Sequence, residues 1–154
     1  MSVKKNNRLI RALIGAWMVS LSVSCGPSQV KPVDIYPEDN CSNCRMAVSD
    51  KAFSSEIITE EGEVFKFDDL SCLAAYRKSN PSLKIGTIFV TDYETMEWLP
   101  YAKSIVVRTG LATPMGSGNV AVADSQRASS LVERFPPTEN ATRAEDECCP
   151  EHDK

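Results

Sequence analysis

Two cysteines separated by two residues, Cys41-Ser42-Asn43-Cys44, are followed two positions later by Met46. Two thiolates at that spacing can close on one soft ion, and the thioether offers a third sulfur. Such donors favour Cu(I), while thiolates also suit zinc. A second soft donor, Met115, lies in the Pro/Gly-rich stretch Thr113-Pro114-Met115-Gly116-Ser117-Gly118. A single Met usually covers an apolar edge; here a turn could instead present its sulfur to an ion held by the cysteines. In Phe67-Asp68-Asp69-Leu70-Ser71-Cys72, the two acids read as helix caps rather than hard-metal ligands. Cys72, about one turn into that helix, is either a small buried residue or an additional thiolate.

A lone Cys-x-x-Cys is a common pattern, and two other chemistries compete with copper(I). A thiol–disulfide enzyme needs the pair at the start of a helix in a βαβ setting. The irregular Pro37-Glu38-Asp39-Asn40 before the motif and Ala47-Val48-Ser49-Asp50 after it do not supply one. A structural zinc site needs two further ligands, which Cys72 and a tail cysteine could provide. Met46 adds nothing to a usual zinc site, and this favours copper(I).

The cysteine count points the same way. The chain has six cysteines. Cys25 follows the basic residues Lys4, Lys5, Arg8 and Arg11 and the apolar run from Ala12 to Val23. That order is a secretory signal, too short for a comfortable span of about 20 residues. Leu21-Ser22-Val23-Ser24-Cys25 resembles a bacterial lipobox, although Ser22 stands where Leu is usual. The resemblance implies that Cys25 is the lipidated first residue of the mature protein. Gly26 after it suits onward sorting to an outer membrane, where the host has one. The five cysteines that remain cannot all pair within one chain, so a pure disulfide framework is disfavoured.

The elements that must position these residues follow. Residues 1–24 form the expected signal, 25–37 a tether with three prolines, 38–135 the core domain and 136–154 an acidic tail. The tail composition predicts disorder, and it carries Cys148-Cys149-Pro150-Glu151-His152, a second set of possible metal ligands. Within the core, 53–59 and 63–67 read as two strands around the turn Glu60-Glu61-Gly62. Asp68 or Asp69 then caps a helix that Asn80-Pro81 ends. Ile85–Thr91 is the most β-prone run; Asp92–Thr95 turns the chain and Met96–Leu99 returns it. Strands at 104–108 and 120–123 precede a helix capped by Asp124 and stopped by Pro136-Pro137. The pattern predicts an α+β domain of two ββα-type units.

Composition excludes several functions. The formal charge of −4 becomes −8 once residues 1–24, with four positive and no negative charges, are removed. Nucleic acid is therefore a poor partner. The only histidine, His152, sits in the tail, so no Ser-His-Asp set can form. No Gly-rich phosphate loop opens a helix. A binding and delivery protein is the expected class, not an enzyme.

Cys41-x-x-Cys44-x-Met46, Phe67-Asp68-Asp69 with Cys72 and Tyr76, Val90-Thr91-Asp92-Tyr93 with Trp98, and Thr113-Pro114-Met115-Gly116 occur in that order behind the lipoprotein-like signal. Together they resemble the NosL family of nitrous oxide reductase accessory lipoproteins. That resemblance implies a periplasm-facing, membrane-anchored copper(I) chaperone. Its partner would be a copper-receiving apo-protein, nitrous oxide reductase or its assembly machinery. The resemblance carries metal binding onto Cys41, Cys44, Met46 and Met115, with Cys72, Cys148, Cys149 and His152 as further candidates. The tail lies outside the shared motifs.

Overall fold

A computed structural model describes residues 30–137. The expected lipidation site Cys25 and the tail ligands Cys148, Cys149 and His152 lie outside them. Strands β1 (Ser55–Thr59) and β2 (Val64–Phe67) form the first hairpin. Helix α1 (Leu70–Ser79) follows, capped by Asp69, whose carboxylate accepts the Ser71 N–H. Asn80 closes the helix by donating its backbone N–H to Tyr76 and Arg77 carbonyls, and Pro81 prevents continuation. Next come β3 (Ile85–Thr91), β4 (Trp98–Pro100), β5 (Ile105–Arg108) and β6 (Asn119–Val122). Helix α2 (Ser125–Arg134) ends the described chain, with Asp124 accepting the Arg127 N–H as its cap.

The ladders between β1–β6 are antiparallel, and an isolated parallel bridge joins Asp92 to Ala121. One sheet has the order β2-β1-β3-β4, and β5 and β6 form a separate pair. The architecture is therefore α+β: β1-β2-α1 and β5-β6-α2 are two ββα units, with the β3-β4 hairpin joined to the first sheet. β1 is central and buried along its whole length. Ile57, Phe67 and Val90 meet Leu70, Cys72 and Leu73 of α1 in one core. Val120 and Val122 of β6 pack with Ala128 and Leu131 of α2 in a second. Between those two valines, Ala121 belongs to the first core, so the alternation of one strand links both. Asp92 strengthens that link. Its buried carboxylate accepts the N–H groups of Glu94, Thr95 and Ala123 and pairs with Arg127 of α2.

Local departures from the sequence reading have clear causes. Phe53 lies in a short 3-10 turn, Lys51–Phe53, capped by Asp50, and the strand starts at Ser55. Met96 adopts φ +60° inside the turn that Asp92 closes, so β4 begins only at Trp98. The end of the expected tether is docked rather than free. Val33 donates its N–H to the buried Glu56 at 2.9 Å, and Lys66 holds the Asp34 carbonyl and the Asp39 carboxylate. Lys66 also lies 5.2 Å over the Tyr36 ring. Burial raises the Glu56 pKa against the opposing pull of the Val33 N–H and Lys66. Among the described residues, no helix is long and apolar enough to cross a membrane.

Candidate metal centre

The Cys-x-x-Cys segment is a closed loop hung on the free edge of β2. Asn40 and Ala47 form an isolated antiparallel bridge, and Val48 donates to the Asp39 carbonyl. Inside it, the Cys41 N–H donates to the Met46 carbonyl at 2.7 Å and the Arg45 N–H to the Cys41 carbonyl at 3.0 Å. Arg45 takes a left-handed conformation, φ +69°, which lets the chain return so tightly. Ser42 donates to the Lys66 carbonyl at 2.8 Å, which sets the loop against β2 just before Asp68.

The chain of β2 then delivers two acids in succession, and the structure gives them different work. Asp69 caps α1. Asp68, the residue before it, turns inward, and Cys72 follows in the first turn of the helix. The Sγ atoms of Cys41, Cys44 and Cys72 and a carboxylate oxygen of Asp68 all lie within 4.8 Å of one another. Cys41, Cys72 and Asp68 are buried, and Cys44 is half-buried. Cys44 donates its thiol to Asp68 Oδ2 at 3.3 Å, and Asn43 donates to the Cys72 sulfur at 3.6 Å. Asp68 Oδ1 is buried without a hydrogen-bond partner.

A buried cysteine is ordinarily a small apolar residue, and Cys41 and Cys72 do contact the first core. Three thiols converging on a carboxylate whose other oxygen, Oδ1, is buried without a partner are not explained by packing, because such an oxygen costs roughly 1–3 kcal/mol. A bound cation would offset that cost. The same cation would stabilise thiolates that burial disfavours. Burial first, then the nearby Cys41 and Asp68, raises the Cys44 pKa against the Met46 backbone. Burial likewise raises the Cys72 pKa, with Cys41 and Asp68 adding to it and Asn43 opposing. The donor set is complete for a four-coordinate soft or borderline metal.

The sequence signal for Asp68 was present but ambiguous, since two adjacent acids before a helix both suit a cap. Only the register of the helix start decides between them. Cys72, left open by the sequence, lies in the cluster.

Met46 and Met115 lie outside this cluster of four, and both are markedly exposed, at 46% and 44%. Met115 is nevertheless tied to the site through Asp69. Its backbone N–H donates to Asp69 Oδ2 at 3.1 Å, and the Ser117 hydroxyl donates to Oδ1 at 2.7 Å. Burial of Asp69 opposes ionisation, yet hydrogen bonds from Thr113, Ser71 and Ser117 prevail and its pKa is lowered. The cap of α1 thus also anchors the methionine loop. Gly118 closes that loop at φ +67°, where a Cβ would meet the Thr109 carbonyl oxygen at 2.2 Å.

A small α+β domain with a largely buried three-thiol, one-carboxylate cluster and two exposed methionines, Met46 and Met115, defines a soft-metal-binding class. The sequence model of the NosL family matches residues 32–136, well over half of the chain, and the chain belongs to that family. No curated protein matches it in sequence. Among solved structures, the copper chaperone NosL from Shewanella denitrificans is similar, with a TM-score of 0.60 at 15% identity. The match covers 70% of this chain and 90% of that one. At that identity the likeness establishes the fold.

Proposed function

We propose that this chain is an exported, lipid-anchored copper(I) chaperone that binds its ion at the Cys41–Cys44–Asp68–Cys72 cluster and hands it to an apo-protein. The observation that carries this reading is the convergence of those four donors within 4.8 Å, with Asp68 Oδ1 unpartnered. Family membership and the fold shared with a copper chaperone support copper as the cargo. The motif resemblance favours nitrous oxide reductase or its assembly machinery as the client.

The geometry suits transfer rather than permanent storage. Cys41 and Cys72 hold the ion from inside, while Cys44 is only half-buried. Met46 and Met115 are neutral, polarisable donors at the surface, able to replace a thiolate ligand one at a time as the ion leaves. Exchange of sulfurs avoids a bare ion at any stage. Asp68 supplies negative charge where a monovalent cation and two or more thiolates meet. Nothing in this process requires bond chemistry at carbon, consistent with a binding protein rather than an enzyme.

A second reading has its own support: three thiols and a carboxylate are also a full tetrahedral set for zinc. Anaerobic titration of the reduced domain with Cu(I) in competition with Zn(II), followed by elemental analysis, separates the two. The proposal expects Cu(I) to displace zinc and remain at about one ion per chain, as a single soft-ligand site requires. Retention of zinc against stoichiometric Cu(I) would establish the structural-zinc reading instead.

A further inference from the structure

The four donors come from two separate pieces of chain. Cys41 and Cys44 sit on the loop that Asp39 and Val48 close, while Asp68 and Cys72 lie where β2 runs into α1. Four donors serve one ion only while the two pieces keep register, and a shift of about 1 Å is enough to loosen such a site. Side-chain ties between them are long, Cys44 to Asp68 at 3.3 Å and Asn43 to Cys72 at 3.6 Å.

Lys66 holds the loop with both its backbone and its side chain. Its carbonyl accepts the Ser42 N–H at 2.8 Å, from inside the loop. Its ammonium donates to the Asp39 carboxylate at 2.6 Å and to the Asp34 carbonyl at 2.7 Å, and lies over the Tyr36 ring. Asp39 is the foot of the loop. Its carbonyl accepts the Val48 N–H at 2.9 Å, and its carboxylate accepts the Tyr36 N–H at 2.7 Å. On the other side, Lys66 precedes Asp68 by two residues along the same chain. An exposed ion pair would contribute little. Here the Lys66 and Asp39 side chains are only 11% and 22% exposed. Lys66 also faces Glu56 across the ladder, and Glu56 accepts the Val33 N–H, so residues 33–39 are pinned at both ends.

We infer that Lys66 is the positioning residue of the metal centre, fixing the Cys41–Cys44 loop against the Asp68–Cys72 segment through Asp39. This rests on the copper reading above and names what preorganises its site. Lys66 itself touches no ion. Its flexible stem and three N–H donors let one ammonium serve a carboxylate and a carbonyl together. Methionine in its place keeps most of the length and loses every donor.

The test uses the full chain in detergent, reduced and anaerobic, with one equivalent of Cu(I) and a competing chelator. Lys66→Met should lower Cu(I) affinity about tenfold, the scale for losing a group that orients ligands. It should also weaken the ultraviolet thiolate-to-copper absorption, because fewer thiolates reach the ion. Asp39→Ala should do the same, and carries the comparison by itself if Lys66→Met does not fold. The double variant should lie close to the single ones, since the pair acts as a unit. Lys84→Met, which removes an exposed pair with Glu61, should keep the parental affinity. Lower thermal stability with affinity and absorption unchanged would overturn the positioning role. Additive losses in the double variant would overturn the route through Asp39, and an equal loss in Lys84→Met would reduce the effect to surface charge. Failure of the copper reading looks different: Cys41→Ser/Cys44→Ser/Cys72→Ser would then bind Cu(I) as the parent does, and this inference would fall with it.

Discussion

Asp68 and Asp69 are adjacent and chemically identical, and their fates differ because one peptide step reverses the direction of a side chain at a strand end. Asp69 meets four hydrogen-bond donors and is held ionised. Asp68 keeps one oxygen without a partner among three thiols. A sequence could not separate them, whereas Cys41 and Cys44 were legible from spacing alone. For Met115 the sequence left two readings open, a loop residue covering an apolar edge or a thioether ligand, and its side chain is exposed. Met115→Leu should therefore weaken Cu(I) binding in chelator competition while costing less than about 1.5 kcal/mol of stability, as volume-conserving swaps do. A large drop in thermal stability with unchanged affinity would make Met115 a packing residue.

The raised thiol pKa values carry their own prediction. Cys44 and Cys72 are protonated at neutral pH in the metal-free protein, and an ion must displace those protons. Apparent Cu(I) affinity should rise with pH. For folding of the metal-free protein the sign is opposite. A pKa raised in the folded state gives stability that is present below the ordinary thiol value, 9.0, and lost as pH rises above it. Urea denaturation between neutral and alkaline pH should show that loss in the metal-free protein and a smaller one in the copper-loaded protein. A pH-independent difference between the two would contradict the assignment of Cys44 and Cys72 as ligands.

At the scale of elements, local chemistry was readable and long-range pairing was not. Ile85–Thr91 emerges with the expected bounds because Ile88, Phe89 and Val90 are strong strand formers. Asp124 caps α2 as its position suggested. That β3 pairs with β1, drawing the second hairpin into the first sheet, depends on contacts some thirty residues apart that no local pattern encodes. The docking of residues 33–39 was equally hidden, because Glu56 between Ser55 and Ile57 reads as an outward polar residue. One element deserves a direct test, since α1 begins at the cap that also anchors the methionine loop. Asp69→Ala should destabilise the domain by about 2 kcal/mol, the upper range for a lost cap. It should also weaken Cu(I) binding, because the loop loses its hold on Met115. Destabilisation with unaltered affinity would show that the anchoring has no part in metal binding.

At the scale of the whole molecule, the proposal is of an exported, lipid-anchored chain whose domain carries the exposed thioethers Met46 and Met115 as well as the thiol cluster. The lipobox-like Leu21–Cys25 segment motivates the proposed anchor. Cys25→Ala should release the processed chain from membranes or stall its processing, read by fractionation. Unchanged membrane attachment with the signal retained would indicate an ordinary hydrophobic anchor. The central claim is that the three converging thiols hold the ion, and competition between the reduced domain and a chromophoric Cu(I) chelator tests it most directly. Cys41→Ser, Cys44→Ser and Cys72→Ser should each lower the affinity at least tenfold, about 1.4 kcal/mol, while the far-UV spectrum stays that of the parent. Affinity unchanged in all three would contradict the account.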